Sequence, residues 1–159
     1  MSETVKNKVW QLRGATVRDI DQVVAFEAPE ASTTWDAKAL QEQFSLAWSH
    51  VQIVENISSQ LVGYMVWWHV ADELQLLNIV TALPQRGQGV GTFMLAELQS
   101  QAIVRGCSRV VLEVRSRNMA ARRLYERAGF VVSGTRPHYY SDTGEDAVLM
   151  ELLLFVEQQ

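Results

Sequence analysis

Three glycines in five residues, Gly87, Gly89 and Gly91, separate an apolar run from an amphipathic one. Upstream, Leu76-Leu77-Asn78-Ile79-Val80 reads as a buried strand; downstream, Phe93, Met94, Leu98 and Ala102 recur at helical spacing as far as Gly106. Glycine at such a junction lets the backbone approach a ligand closely and turn its N–H groups outward. A helix N-terminus adds donors outside the helical ladder and the positive end of a dipole, a combination suited to phosphate. Gln85-Arg86-Gly87-Gln88-Gly89-Val90-Gly91-Thr92 is therefore expected to cradle a pyrophosphate.

The run lacks the Lys-Ser/Thr ending of a P-loop, which argues against a nucleoside triphosphate. A dinucleotide fingerprint needs a further glycine where Thr92 stands and an acidic residue about 20 positions on. Glu113 is near that place, but the loop comes past the middle of the chain, leaving too little sequence for a dinucleotide fold. The remaining alternative is a tight strand–helix turn that holds no ligand.

With 159 residues the chain is expected to form a single domain, 1–159, large enough for a real core. A 48% hydrophobic share with 20% charged residues fits a soluble globular protein. No apolar run approaches the ~20 residues of a membrane span, and Met1 to Lys8 lacks the apolar core of a signal peptide. Cys107 has no cysteine to pair with, which suits a reducing cytoplasm. Charge is uneven: from Arg86 to Arg127 eight arginines face three glutamates, a balance of +5 that leaves −9 elsewhere within the net −4. A basic middle suits a ligand with several phosphates, and an acidic remainder suits a cationic partner such as an amine on a basic protein. An unevenly charged but merely solvated surface is the alternative. The acidic total argues against direct nucleic-acid binding.

In chain order, Val9 to Arg13 reads as a strand. Thr16-Val17-Arg18-Asp19 resembles a capping box opening a helix through Ile20, Val23, Val24 and Glu27, which Pro29 stops. Ala31 to Trp35 reads as a loop, and Asp36 as the start of a second helix carrying Leu40, Phe44 and Leu46. Val51–Ile57, Leu61–Val70 and Glu73–Val80 read as antiparallel strands with turns at Ser58-Ser59-Gln60 and Ala71-Asp72. The bulky residues of Gly63-Tyr64-Met65-Val66-Trp67-Trp68 favour a strand covered on both faces. After the glycine-led helix, Arg109–Val114 reads as a strand parallel to Glu73–Val80. Asn118 can cap a helix from Met119 to Ala128 that Gly129 ends. Strands from Phe130 and from Ala147 to Phe155 follow. The order β-α-α-β-β-β-α-β-α-β-β describes an α/β (α+β) chain.

These residues resemble a family. Arg86-Gly87-Gln88-Gly89-Val90-Gly91 is similar to the Arg/Gln-x-x-Gly-x-Gly/Ala acetyl-CoA loop of the GNAT N-acetyltransferases. The resemblance continues through Leu112-Glu113-Val114-Arg115, Asn118 and Leu124-Tyr125-Glu126-Arg127-Ala128-Gly129-Phe130, and ends with His138-Tyr139-Tyr140 and Gly144-Glu145-Asp146-Ala147. It covers most of the chain and is nearest the RimI branch, whose members acetylate the N-terminal alanine of a small-subunit ribosomal protein. It implies the GNAT acyl-CoA N-acyltransferase fold, a mixed central sheet flanked by helices. It implies acetyl-CoA as co-substrate, no metal, and a protein N-terminus, basic and ribosomal, as partner. Acetyl-CoA would rest on Arg86, Gly87, Gln88, Gly89, Val90, Gly91 and Thr92, would pair with the main chain of Ile79, Val80 and Thr81, and would contact Asn118. Trp35, Tyr139 and Tyr140 would bound the acceptor groove; Pro137-His138 departs from the usual RimI pattern and bears on peptide preference.

Amine acetylation needs a neutral amine, a polarised thioester carbonyl and a proton for the departing thiolate. Direct attack in a ternary complex is the simplest route, since positioning supplies much of the rate. Strand alternation sets Val111 and Glu113 on one face and Val110, Leu112 and Val114 on the other. A carboxylate at the C-terminal end of a parallel strand is a candidate base, and the RimI match supports it; an ion pair with a nearby arginine is the alternative. Tyr125 is the candidate acid on the Leu-Tyr-Glu-x-x-Gly-Phe motif, against the ordinary reading of an amphipathic core tyrosine. His50, His69 and His138 show no metal-ligand spacing, and Cys107 reads as a buried, inert thiol. Other acceptors, a lysine side chain or a small amine, stay open, as does an acyl-CoA-binding module without catalysis.

Overall fold

Six consecutive residues, Val62 to Trp67, are buried in the strand β3, Leu61–Val70. An unbroken buried run of this kind requires cover on both faces, as the bulky sequence predicted. The computed structural model describes residues 10–26 and 35–154. These residues form two compact units: one takes the chain up to Trp67 together with Asn78–Met94, the other Trp68–Leu77 and the chain from Leu95.

In the first unit, β1 (Trp10–Gly14) pairs antiparallel with β2 (Ser49–Asn56), from Trp10↔Asn56 to Gly14↔Gln52. β2 stops before Ile57, which is 84% exposed. The Asn56 side-chain oxygen accepts from the N–H groups of Ser58 and Gln60, both at 2.9 Å, and so turns the chain one residue earlier than expected. Trp67 is fully buried; its indole N–H donates to Gln52 at 2.9 Å and its ring stacks on His50 at 4.1 Å. Truncating so buried an indole costs about 3–5 kcal/mol.

A short 3-10 turn, Val17–Asp19, leads into α1 (Ile20–Val24). The expected capping contact forms, with the Asp19 carboxylate accepting from the Thr16 N–H at 2.7 Å. Asp19 also receives both terminal nitrogens of Arg13, at 2.9 and 3.0 Å, and Arg13 contacts Glu55. The positions of Glu27, Pro29 and Ala31 to Thr34, and of Val9 and Phe155, lie outside the described residues. Asp36 caps α2 (Ala37–Gln43), accepting from Ala39 N–H at 2.7 Å. The helix is shorter than its apolar pattern predicts, and Phe44 and Leu46 lie beyond it. The Ser45 hydroxyl donates to the Glu42 carbonyl at 2.7 Å, a local bond that competes with continuation of the ladder.

β4 (Glu73–Thr81) alternates buried and half-buried residues, and with β3 it runs through both units. Its buried Asn78 donates to the Tyr64 hydroxyl at 3.1 Å. Burial pushes the Tyr64 phenol up to about 12.

In the second unit, β5 (Arg109–Arg115) pairs in parallel with β4 from Glu73↔Arg109 to Leu76↔Leu112. Between them in sequence comes α3 (Val90–Val104), the crossover expected of a parallel pair. β7 (Ala147–Leu153) lies antiparallel to β5, and β6 (Val131–Arg136) antiparallel to β7, giving the strand order β1-β2-β3-β4-β5-β7-β6. α4 (Met119–Arg127) links β5 to β6, and the whole element order matches that expected from sequence. Cys107 is fully buried, its sulfur 3.4 Å from His69 Nε2, and desolvation pushes its thiol up. No helix among the described residues is long and apolar enough to cross a membrane.

Candidate active site

The first unit carries the glycine loop. β4 ends at Thr81, and a 3-10 turn at Leu83–Gln85, with Pro84 in its first turn, leads to Arg86 in extended conformation. Gly87 and Gly89 then take φ of +77° and +93°, a region that side chains with a Cβ rarely adopt. Among the described residues a Cβ on Gly87 would meet nothing within 4 Å, so the loop presents open backbone to them there. A Cβ on Gly89 would lie 3.5 Å from the Trp10 ring, which packs on Phe93 at 5.7 Å and supports the loop from the protein side.

The helix starts earlier than its apolar pattern suggests. Val90, Gly91 and Thr92 already form the first turn of α3, and the Phe93 N–H makes a helical bond to the Gly89 carbonyl at 2.9 Å. The amides of Val90, Gly91 and Thr92 therefore precede the ladder and point out of the helix end. Val90 itself is buried and pins the turn, while Gly87, Gln88, Gly89 and Thr92 are exposed. Backbone donors on a glycine-opened helix end fit a pyrophosphate. The Arg86 guanidinium approaches the Thr81 carbonyl at 3.5 Å. Along β4, Ile79 and Thr81 are half-buried and Val80 is buried. Trp35, just before α2, is half-buried, and its indole nitrogen is buried without a hydrogen-bond acceptor among the described residues.

The second unit carries Glu113 and Tyr125, the candidate base and acid. β5 alternates as expected, with Val110, Leu112 and Val114 buried and Val111, Glu113 and Arg115 half-buried on the other face. Glu113 pairs with Arg136 at 3.5 Å, and Arg136 also lies over the Tyr139 ring at 5.5 Å. The structural reading of Glu113 as an ion-paired group is thus correct as far as it goes, and it leaves the carboxylate 34% exposed on the open face. Asn118 caps α4, accepting from the Ala121 N–H at 3.2 Å. Tyr125 is buried against Phe130, ring centres 5.9 Å apart. Burial pushes its phenol above the ordinary tyrosine value, with a smaller contribution from the Tyr140 phenol.

Tyr139 and Tyr140 meet edge to face at 5.1 Å on the loop joining β6 to β7. Arg115 fastens this loop: its guanidinium lies 4.1 Å over the Tyr140 ring and donates to both Asp142 oxygens, at 2.9 and 3.0 Å. The Arg117 N–H donates to Glu145 at 3.3 Å and the His138 N–H to Asp146 at 2.9 Å. Sequence reasoning counted Arg109 and Arg115 among cations for phosphate. The structure engages them instead with carboxylates: Arg109 with Glu73 and Glu151, Arg115 with Asp142. It also missed Arg136, which stands outside the basic middle and has no motif of its own.

Residues 17–130 match the family model described as the acetyltransferase (GNAT) family. The chain is 32% identical over 120 residues to the [ribosomal protein bS18]-alanine N-acetyltransferase of Escherichia coli K12, covering 74% of this chain and 80% of that one. It is 30% identical over 139 residues to the protein of the same name from Haemophilus influenzae, covering 86% and 93%. Among solved structures, the ribosomal-protein-S18-alanine N-acetyltransferase from Escherichia coli superposes with a TM-score of 0.81 at 26% identity, covering 94% and 98%.

Proposed function

This chain belongs to the GNAT family of acetyltransferases and is an acetyl-CoA-dependent N-acetyltransferase; from that premise we propose that its acceptor is the N-terminal α-amine of an alanine on a small-subunit ribosomal protein. The observation that carries the acceptor is the identity, over most of the chain, to two proteins named for that reaction. The reading takes residues 1–159 as one acetyltransferase domain acting in the cytoplasm on a basic protein partner.

Acetyl-CoA, when bound, supplies an activated thioester. The amides of Gly87 to Thr92 would hold its pyrophosphate, with Arg86 and Gln88 beside them. The main chain of Ile79, Val80 and Thr81 would hold its pantetheine amides, and Asn118 would contact it from the α4 cap. Trp35, Tyr139 and Tyr140 would border the acceptor. The exposed backbone at Gly87 and the outward amides of the first α3 turn support this assignment.

The acceptor enters as the neutral amine; its nitrogen lone pair forms the new bond to the thioester carbonyl carbon, and Glu113 takes the proton that the nitrogen then sheds. The carbon–sulfur bond breaks, and Tyr125 gives its phenolic proton to the departing thiolate. Solvent then takes the proton from Glu113 and returns one to Tyr125. The products are an acetylated amine and free coenzyme A, with no acetyl-enzyme. Burial keeps Tyr125 protonated at neutral pH, so its proton is present when the thiolate forms.

The test is thiol release from acetyl-CoA with two peptides: one with a free N-terminal alanine followed by basic residues, one with a blocked N-terminus and an added lysine. Turnover of the first in clear preference to the second is the expected result. Turnover of the second alone would keep the fold and the reaction and overturn the acceptor.

A further inference from the structure

The glycine loop of the first unit has a different neighbour at each end. At its helix end, α3 sits in a gap left by Gly63 of β3. A Cβ there would lie 3.1 Å from the Val90 and Met94 side chains and from the Val80 carbonyl. Val90 and Met94 are buried, so the first turn of α3 is seated independently of the loop before it. At the loop itself the neighbour is Trp10. The Cη2 and Cζ3 atoms of its ring stand 3.5 and 3.9 Å from where a Cβ on Gly89 would be, and the same ring packs on Phe93. Trp10 opens β1, the edge strand, and is held in register opposite Asn56 of β2. Its side chain is half-buried, reaching under the loop from the margin of the core.

We infer that Trp10 is a positioning residue for the pyrophosphate of acetyl-CoA: its indole is the floor that keeps Gly87 to Gly89 in the conformation whose amides receive the ligand. The inference rests on reading this loop as the pyrophosphate site. Gly87 and Gly89 stand at φ of +77° and +93°, a region that glycine visits about as readily as its mirror image. Glycine therefore permits the loop conformation without enforcing it, and a neighbour has to hold it. Among the described residues a Cβ on Gly87 would meet nothing within 4 Å, and one on Gly89 would meet Trp10 alone.

A ligand that finds its donors already aligned loses less freedom on binding than one that must order the loop itself. Removing the indole thus weakens the hold on the pyrophosphate and leaves α3 in its seat against Gly63. The thioester end is served by other residues, so the effect belongs to donor affinity and not to kcat. A tryptophan that only filled the margin of the fold would, when replaced, weaken every donor alike or none.

The experiment compares wild type, Trp10→Leu and Trp10→Phe with two acetyl donors. One is acetyl-CoA, its Kd measured by calorimetry; the other is S-acetylpantetheine, which has the thioester and amides but no pyrophosphate, its Kd measured by competition. Trp10→Leu keeps an apolar side chain without the ring, and is expected to raise the acetyl-CoA Kd about tenfold while leaving that of S-acetylpantetheine unchanged. Its kcat at saturating acetyl-CoA is expected to stay within about twofold of wild type. Trp10→Phe, which keeps an aromatic ring under the loop, is expected to bind acetyl-CoA within about threefold of wild type. An unchanged acetyl-CoA Kd in Trp10→Leu, or an equal rise for both donors, overturns the inference. The wild-type protein separates the two levels. If it binds the two donors equally well, the pyrophosphate reading of the loop has itself failed. If it prefers acetyl-CoA strongly and Trp10→Leu does not reduce that preference, only the role of Trp10 is defeated.

Discussion

Arg136 and Glu113 are joined at 3.5 Å although β7 runs between their strands. A bulge at Ser133 and the small residues Ala147 and Gly134 make that reach possible, so the geometry around the candidate base is set partly by residues that carry no chemistry. The same arginine stacks on Tyr139, linking the base to the loop proposed to border the acceptor.

That loop is fastened by Arg115, whose bidentate bond to Asp142 is exposed and so adds little to global stability. Arg115→Gln is expected to leave the melting temperature nearly unchanged and to raise the acceptor KM several-fold while leaving the KM for acetyl-CoA alone. Steady-state kinetics with each substrate varied in turn checks this; equal changes in both KM values would contradict it.

Among the described residues Gly87 has no neighbour within 4 Å of where a Cβ would stand, but its φ of +77° belongs to the left-handed region. Gly87→Ala therefore adds backbone strain of about 1–2 kcal/mol with no packing clash. The expected result is a rise of about tenfold in the acetyl-CoA KM and a fall of a few degrees in melting temperature. An unaltered acetyl-CoA KM would remove this loop from the phosphate site.

Burial pushes the Tyr125 phenol above its ordinary value of about 10, so it remains protonated across the usual assay range. Tyr125→Phe should lower kcat by about a hundredfold without changing the shape of the profile between about pH 6 and pH 10. A falling limb in that range that vanishes in the phenylalanine variant would show the phenol titrating there instead.

Hydrogen bonds from Arg13 hold the Asp19 carboxyl below the usual carboxylate range, against the opposing effect of its burial. The sign follows from linkage: a lowered folded value gives stability that is fully present above the unfolded pKa of about 3.9 and is lost as pH falls through the folded value. Asp19→Asn is expected to cost about 2 kcal/mol at pH 7 and clearly less near pH 3. Denaturant titrations at the two pH values measure the difference; equal losses would show that the charge of Asp19 contributes nothing.

Much of this was legible in the sequence because it is local. Alternation fixed the faces of β5, glycine spacing marked the strand–helix junction, and Asp36 and Asn118 announced the helices they cap. Where sequence reasoning fell short, a side-chain bond had changed the outcome: Ser45 competes with the end of α2, and Asn56 turns the chain before Ile57. Arg115 and Arg136 were unreadable for a different reason. Their partners lie 27 and 23 residues away, and the Arg136 contact also depends on a bulge at Ser133 whose only mark in the sequence is the neighbouring Gly134.

The central claim is that Glu113 and Tyr125 carry the transfer. Its most direct test is kcat by thiol release for the double variant Glu113→Gln, Tyr125→Phe, at saturating acetyl-CoA with the N-terminal alanine peptide, alongside the Kd of acetyl-CoA. The expected result is a loss of at least about a thousandfold in kcat with the Kd essentially unchanged. A folded double variant that binds acetyl-CoA and turns over at the wild-type rate would contradict the mechanism.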